Sequence, residues 1–295
     1  MKIGFIGIGT MGEHMCRNIM KSGHKVFIYD KSFEAMQTLM SEGAAGKGSP
    51  TEVALEAEIV IIMVVNDNQV KEIILGKKGI LRSLKANSIV IIMSTISPSV
   101  TIELAKRVNE ESRQSVLVEA PVVKSKDAAI AGNLGIYFGG PIEVYDRVKP
   151  ILKCMGKQII RMGDVGRGMT MKLVHNMLGS AIMMGVSESI VLGIKASLNF
   201  DDIITAISYG GAQTAYLDTK SASIRKRDFS PKFALKHLQK DSILASQLAD
   251  SLSTCLPVAN ATKQIINAAV AMNLGEEDFS ATIKVIEHLA GIKND

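Results

Sequence analysis

A short apolar run, Lys2 to Ile6, leads directly into Gly7-Ile8-Gly9-Thr10-Met11-Gly12, and a helical stretch from about Met11 to Ser22 follows. That helix carries Met15, Ile19 and Met20 on one face and stops at Gly23. No other feature restricts the fold as much. Gly7 permits the tight turn that leaves a strand. Gly9 lets the backbone approach a pyrophosphate, and Gly12 lets the helix lie close against the sheet. The helix start then presents N–H groups and a positive dipole end to phosphate. A glycine pattern alone is weak evidence. Its place between a strand and a helix, with an acidic residue about 20 positions on, makes it specific. That residue is Asp30, at the end of a second strand, Lys25 to Tyr29. Gly7, Gly9, Thr10, Met11, Gly12, Asp30 and Lys31 are therefore the expected cofactor-binding set at this end of the chain. Asp30 can accept from ribose hydroxyls and would repel a 2′-phosphate, which favours NAD, whereas Lys31 and Ser32 argue for NADP. The acidic residue decides for NAD.

Ile59 to Val65 and Ser88 to Met93 are near-continuous apolar runs, as buried parallel strands should be. Val116 to Val118 and Gly135 to Gly139 read as further strands. Alternation of strand and helix implies a parallel sheet with right-handed crossovers. The texture changes after Gly163. Met169 to about Ala196 reads as one long apolar helix, and Phe200 to Ile207, Phe233 to Leu252, Val258 to Ala271 and Ala281 to Leu289 are also helical. The expected fold is α/β, a doubly wound parallel sheet over residues 1–163 followed by an all-helical domain over 164–295 that opens with the long helix.

A chain of 295 residues, 47% of them hydrophobic, suits two domains with a sizeable core, and 21% charged residues is too few for disorder. Lys and Arg exceed Asp and Glu only by 34 to 29, without a long basic run, although the pI is near 9.0. Aromatics are 4% and Trp is absent, so stacking platforms are scarce and no nucleic-acid partner is expected. Cys16, Cys154 and Cys255 lie far apart without a C-x-x-C spacing, which implies neither a disulfide framework nor a metal site. Free cysteines fit a reducing, cytoplasmic compartment. The first strand is too short for a secretory segment. No unbroken apolar run reaches the ~18 residues of a membrane span, so no membrane is expected.

The opening Gly4-Phe5-Ile6-Gly7-Ile8-Gly9-Thr10-Met11-Gly12 resembles that of the β-hydroxyacid dehydrogenases, which include 3-hydroxyisobutyrate dehydrogenases and tartronate, glyoxylate and succinic semialdehyde reductases. The resemblance continues through Ser94-Thr95-Ile96-Ser97-Pro98, Glu119-Ala120-Pro121-Val122, Gly166-x-Gly168-x-x-x-Lys172-x-x-His175-Asn176 and Lys240-Asp241, in the family's order. It implies a Rossmann-type first domain, a helical second domain and an active site between them. It further implies Lys172 as general acid/base and Asn176 as a substrate-positioning group. Thr95 would stand beside the nicotinamide, Lys240 would reach the cofactor, and Val64-Val65, where the family has Leu-Pro, would line the nucleotide site. The residues by themselves leave alternatives. Lys172 could be a solvated lysine, although Met171, Leu173, Val174 and Met177 around it are apolar. Thr95 could cap the helix that Ser97-Pro98 begins, and Lys240 could be an exposed ion pair with Asp241. His175, where the family has a second Asn, reads as a polar filler or as a titrating neighbour of Lys172.

The chain departs from the family after Val122. Ser-Gly-Gly is replaced by Val123-Lys124-Ser125, which removes a hydroxyl and two glycines that permit close backbone approach. Val123, Lys124, Ser125 and Asn176 are the expected substrate-binding set. The expected reaction is hydride transfer between NAD and a short-chain 3-hydroxy acid or its semialdehyde. Competing readings are an NADPH-dependent glyoxylate or succinic semialdehyde reductase, a dehydrogenase of dicarboxylic hydroxy acids, an imine reductase, and a non-catalytic dinucleotide-binding paralogue. A homo-oligomer, dimer or tetramer, is expected.

Overall fold

The computed structural model describes residues 1–112 and 114–292. It divides into two compact units, Met1–Lys172 and Leu173–Asp295.

The first unit runs β1 (Lys2–Ile6), α1 (Gly12–Lys21), β2 (Lys25–Tyr29), α2 (Phe33–Ser41), β3 (Ala45–Gly46), α3 (Pro50–Glu56), β4 (Ile59–Ile62), α4 (Asp67–Leu75) and β5 (Ile89–Ile92). It continues through α5 (Pro98–Glu111), β6 (Val116–Glu119), β7 (Val122–Val123), α6 (Lys126–Ile130), β8 (Leu134–Gly139), α7 (Ile142–Met155), β9 (Gly156–Gly163) and the start of α8 (Arg167–Lys195). The strands form one sheet in the order β3-β2-β1-β4-β5-β6-β8-β7, with β9 also pairing β8. β1 to β6 are parallel; Ile3, for example, lies between Val26 and Ile59. β8 runs antiparallel to β6 and β7 and parallel to β9, so the expected all-parallel sheet ends at β6. The link from β7 to β8 is short, and a parallel neighbour would need a longer crossover.

Every side chain of β4 and of β5 is buried, because helices cover both faces of the sheet. The strands alternate between the two sides. Ile3, Phe5, Ile61 and Ile91 pack with α1 and α7, while Ile6, Val60, Ile62 and Ile92 pack with α3, α4 and α5. The strand order changes direction between β1 and β4. In such sheets ligands gather at that switch, beyond the carboxyl ends of the strands.

The second unit takes the rest of α8, then α9 (Phe200–Ile207), α10 (Ala215–Arg225), α11 (Leu235–Ser251), α12 (Pro257–Ala271) and α13 (Ile283–Leu289). Its core contains Met183, Val186, Ile190, Leu217, Ile266, Phe279 and Ile283. A buried ion pair ties it together: Lys220 Nζ lies 2.8 Å from Asp278 Oδ1. Asp278 also accepts from the N–H groups of Lys232, Phe233 and Ser280.

No unbroken apolar run of ~18 residues is expected and none is present, but α8 meets the looser test of being long and apolar enough on average to cross a membrane. By length and composition, Arg167–Lys195 passes that test. Lys172, His175 and Asn176 interrupt its apolar residues, so the run is not unbroken. Its apolarity also has an origin in packing. Met169 is buried in the core of the sheet unit, and Met183, Val186 and Ile190 in the core of the helical unit.

Candidate active site

The loops that follow β1, β2, β4, β5 and β6 leave one edge of the sheet, since these strands are parallel neighbours. Gly7 has φ +99° and donates its N–H to Tyr29 O at 2.9 Å. A Cβ on Gly7 would stand 2.1 Å from Met63 O, and one on Gly12 would stand 2.0 Å from Gly7 O. A Cβ on Gly9 would meet nothing within 4 Å, and Gly9 and Thr10 are exposed. Crowding at the first and third glycines and open space at the second fit a pyrophosphate laid over the turn. Asp30 braces that turn. Its Oδ2 accepts the N–H of Ile8 at 2.7 Å and its Oδ1 the N–H of Ser32 at 2.8 Å. A carboxylate fixed this way retains lone pairs for a ribose diol. Lys31 is exposed, Met11 is half-buried, and the Ser32 hydroxyl caps α2.

Beyond β4, the Val64 N–H donates to Ser94 Oγ at 2.7 Å and the Val65 N–H to Gln69 Oε1 at 2.9 Å. Where the family has a proline, Val65 brings an extra N–H, and Gln69 satisfies it. Thr95 is half-buried just past β5. It is not the cap of α5: Ser97 holds that position, without a side-chain bond to the helix.

The loop after β6 keeps the glycine conformation without the glycine, since Lys124 has φ +83°. Its ammonium donates to Asn133 O at 2.9 Å, so the side chain lies along the surface toward the start of β8. Val123 is buried, with Cγ2 in the space that a Cβ on Gly135 would take. Ser125 precedes α6 and makes no side-chain cap bond.

Glu119, in the sequence only part of a motif, is fully buried at the end of β6 and accepts the Met169 N–H at 3.0 Å. Burial pushes its pKa up to about 7, against hydrogen bonds from backbone N–H groups that pull it down. Lys172, one turn further along α8, is 8% exposed, so the solvated-lysine alternative fails.

In the helical unit, Asn176 Nδ2 donates to Asp241 Oδ2 at 2.6 Å, and Lys240 Nζ lies 2.9 Å from Asp241 Oδ1. Asp241 is 3% exposed and joins α8 to α11. In the sequence it stands out only as a partner of Lys240. Its hold on Asn176 was hidden because the two residues are distant in the chain. His175 is half-buried on α8. Among the described residues, no group of three or more His, Cys, Asp or Glu could hold a metal ion.

A glycine turn shaped for pyrophosphate, a braced acidic residue at the second strand and a buried lysine define a nicotinamide-dependent oxidoreductase. The comparisons agree. Residues 2–163 match the family described as the NAD binding domain of 6-phosphogluconate dehydrogenase. Residues 166–286 match the NAD-binding family of NADP-dependent 3-hydroxyisobutyrate dehydrogenase. The chain is 32% identical to 2-(hydroxymethyl)glutarate dehydrogenase of Eubacterium barkeri, over 99% of this chain and 97% of that one. It is 31% identical to glyoxylate/succinic semialdehyde reductase 1 of Arabidopsis thaliana, over 97% and 99%. The structure of Mycobacterium tuberculosis 3-hydroxyisobutyrate dehydrogenase with L-serine aligns at a TM-score of 0.89, with 26% identity, covering 97% and 98%. The chain belongs to the β-hydroxyacid dehydrogenase family, NAD(P)-dependent dehydrogenases that transfer hydride to or from the CH–OH carbon of a hydroxy acid.

Proposed function

We propose that this protein uses NAD in preference to NADP to interconvert a short-chain 3-hydroxy acid and its semialdehyde, with Lys172 as general acid/base. The observation that carries this is the burial of Lys172 one turn past Met169, whose N–H is bonded to Glu119 at the end of β6. Oxidising an alcohol requires removal of the hydroxyl proton as hydride leaves carbon, and reduction requires the reverse. The bound nicotinamide supplies or accepts the hydride. Lys172 takes the hydroxyl proton in one direction and returns it in the other. Asn176, its amide oriented by Asp241, hydrogen-bonds the substrate. Gly7, Gly9, Thr10, Met11, Gly12, Asp30, Val64, Val65, Thr95 and Lys240 hold the cofactor. The preference for NAD rests on Asp30.

Val123, Lys124 and Ser125 select the acid. The exposed ammonium of Lys124 supports an acid with a second anionic group, and the likeness to 2-(hydroxymethyl)glutarate dehydrogenase supports the same choice. A second reading, NADPH-linked reduction of a semialdehyde, is favoured by the exposed Lys31 beside Asp30 and by the NADP-dependent enzyme for which the second matching family is named. Rates with NAD and NADP at equal concentration separate the two. A kcat/KM at least about tenfold higher with NAD, or about 1.4 kcal/mol, is expected, and the opposite order supports the second reading.

We also propose a cytoplasmic protein without a membrane or nucleic-acid partner, assembled as a homo-oligomer. Large apolar side chains exposed on the second unit, among them Leu178, Leu192, Leu252 and Val258, support self-association. Sedimentation at micromolar concentration tests it, and a monomer there contradicts it.

A further inference from the structure

Glu119 ends β6 with no solvent exposure. Oε1 accepts the Met169 N–H at 3.0 Å, and the N–H groups of Gly166 and Gly168 lie close enough to the same carboxylate to pull its pKa down. Oε2 is buried without a hydrogen-bond partner. These donors open α8, whose own first turn carries no acidic residue. A helix start leaves N–H groups without partners inside the helix and favours a negative charge nearby. Here a strand supplies it. Two glycines keep the space open: a Cβ on Gly139 would stand 2.3 Å from Oε1, and one on Gly168 would stand 3.1 Å from it. The next turn of α8 brings Lys172.

We propose that Glu119 is a positioning residue for Lys172: its carboxylate clamps the first turn of α8 to the end of β6 and so fixes where the lysine amine stands. This role stands on the assignment of Lys172 as acid/base, and it adds what holds that lysine in place. The partners of Glu119 are backbone N–H groups, so it acts through the helix and not on the substrate. A carboxylate accepts such bonds about twice as strongly as a neutral group. With a pKa of about 7, Glu119 changes between the two forms near neutrality: the charged form accepts the helix N–H groups more strongly, while burying that charge costs the fold stability as pH rises. The titratable or charged side chains on the elements packed against it are Tyr137 on β8 and Arg167 and Lys172 on α8. β5 has none. α5 turns Thr101, Leu104 and Val108 inward and keeps Glu103, Lys106, Arg107, Glu110 and Glu111 outside.

The test uses the full chain with Glu119→Gln, which keeps the shape and removes the charge. Glu119→Asp, which keeps the charge and retracts it by one methylene, is the second variant. Hydrogen exchange of the segment 166–172 above neutral pH reads the clamp. Trace labelling of Lys172 with acetic anhydride across pH reads the lysine. Expected in Glu119→Gln is exchange about tenfold faster in the first turn of α8 with α1 unchanged, a loss of about 1.4 kcal/mol of local protection. The labelling midpoint of Lys172 shifts, because the amine no longer stands in one fixed place. Glu119→Asp falls between Glu119→Gln and the unaltered protein, and it decides the question if Glu119→Gln does not fold. Unaltered exchange and unaltered labelling overturn the proposal. Turnover that survives Lys172→Ala overturns the acid/base assignment instead, and the exchange result identifies which of the two has failed.

Discussion

Lys124 holds a left-handed backbone conformation, φ +83°, that costs an L side chain about 1–2 kcal/mol relative to glycine. A strained lysine in a loop beside the expected substrate position is an argument for selection at that place. Lys124→Gly should therefore raise stability by about 1 kcal/mol in urea titration, while KM for an acidic substrate rises and NADH affinity stays within about twofold. Equal weakening of both ligands contradicts a substrate role for Lys124. Glu119 yields a second prediction. Its folded pKa, about 7, lies above the ordinary 4.5, so the folded state holds its proton more tightly than the unfolded chain does. The resulting stabilisation is complete below the unfolded value and is lost as pH rises through the folded one, on the order of 3 kcal/mol in all. Glu119→Gln should remove that decline between the two values. Melting curves that stay parallel to those of the unaltered protein across the same window would show that Glu119 does not titrate there.

At the level of elements, the three glycines of the first turn make separable predictions. Gly12→Ala drives a methyl to within 2.0 Å of Gly7 O and must displace α1 from β1, with a loss of about 2 kcal/mol or more in stability. Gly9→Ala meets no atom of the protein, so the melting temperature should hold while NADH affinity falls about tenfold or more. Equal effects of the two substitutions on stability would contradict this division of roles. The same elements show what the sequence could reveal. β1, β2 and α9 lie where expected because local pattern alone marks their ends, and the turn at Gly7 is a backbone requirement written in one residue. α10 was missed because it turns only Leu217, Lys220 and Ile224 inward on an otherwise polar helix. The antiparallel β8 depends on a link length that periodicity does not report. The pairs Glu119–Met169 and Asn176–Asp241 join positions 50 and 65 residues apart. Motif order could name the residues of the site, but not the carboxylates that hold them.

Over the whole molecule, two units divide the work by composition. The first is a β-branched sheet covered by helices on both faces, and it carries the nucleotide motif and Lys172. The second is helical, carries Asn176 and Lys240 on adjacent elements, and is tied together by the buried Lys220–Asp278 pair. The central claim is hydride transfer with Lys172 as the proton-exchanging group. The most direct measurement follows the absorbance of reduced nicotinamide while NAD and NADP are offered with hydroxyisobutyrate, serine, glycerate and hydroxymethyl dicarboxylates. Semialdehydes and glyoxylate run in reverse, and Lys172→Ala runs alongside. Turnover with NAD on at least one acid, reduced about a thousandfold or more in Lys172→Ala with NADH binding retained, is the predicted result. Turnover undiminished in Lys172→Ala, or no turnover on any acid by a protein that binds NADH tightly, would contradict it.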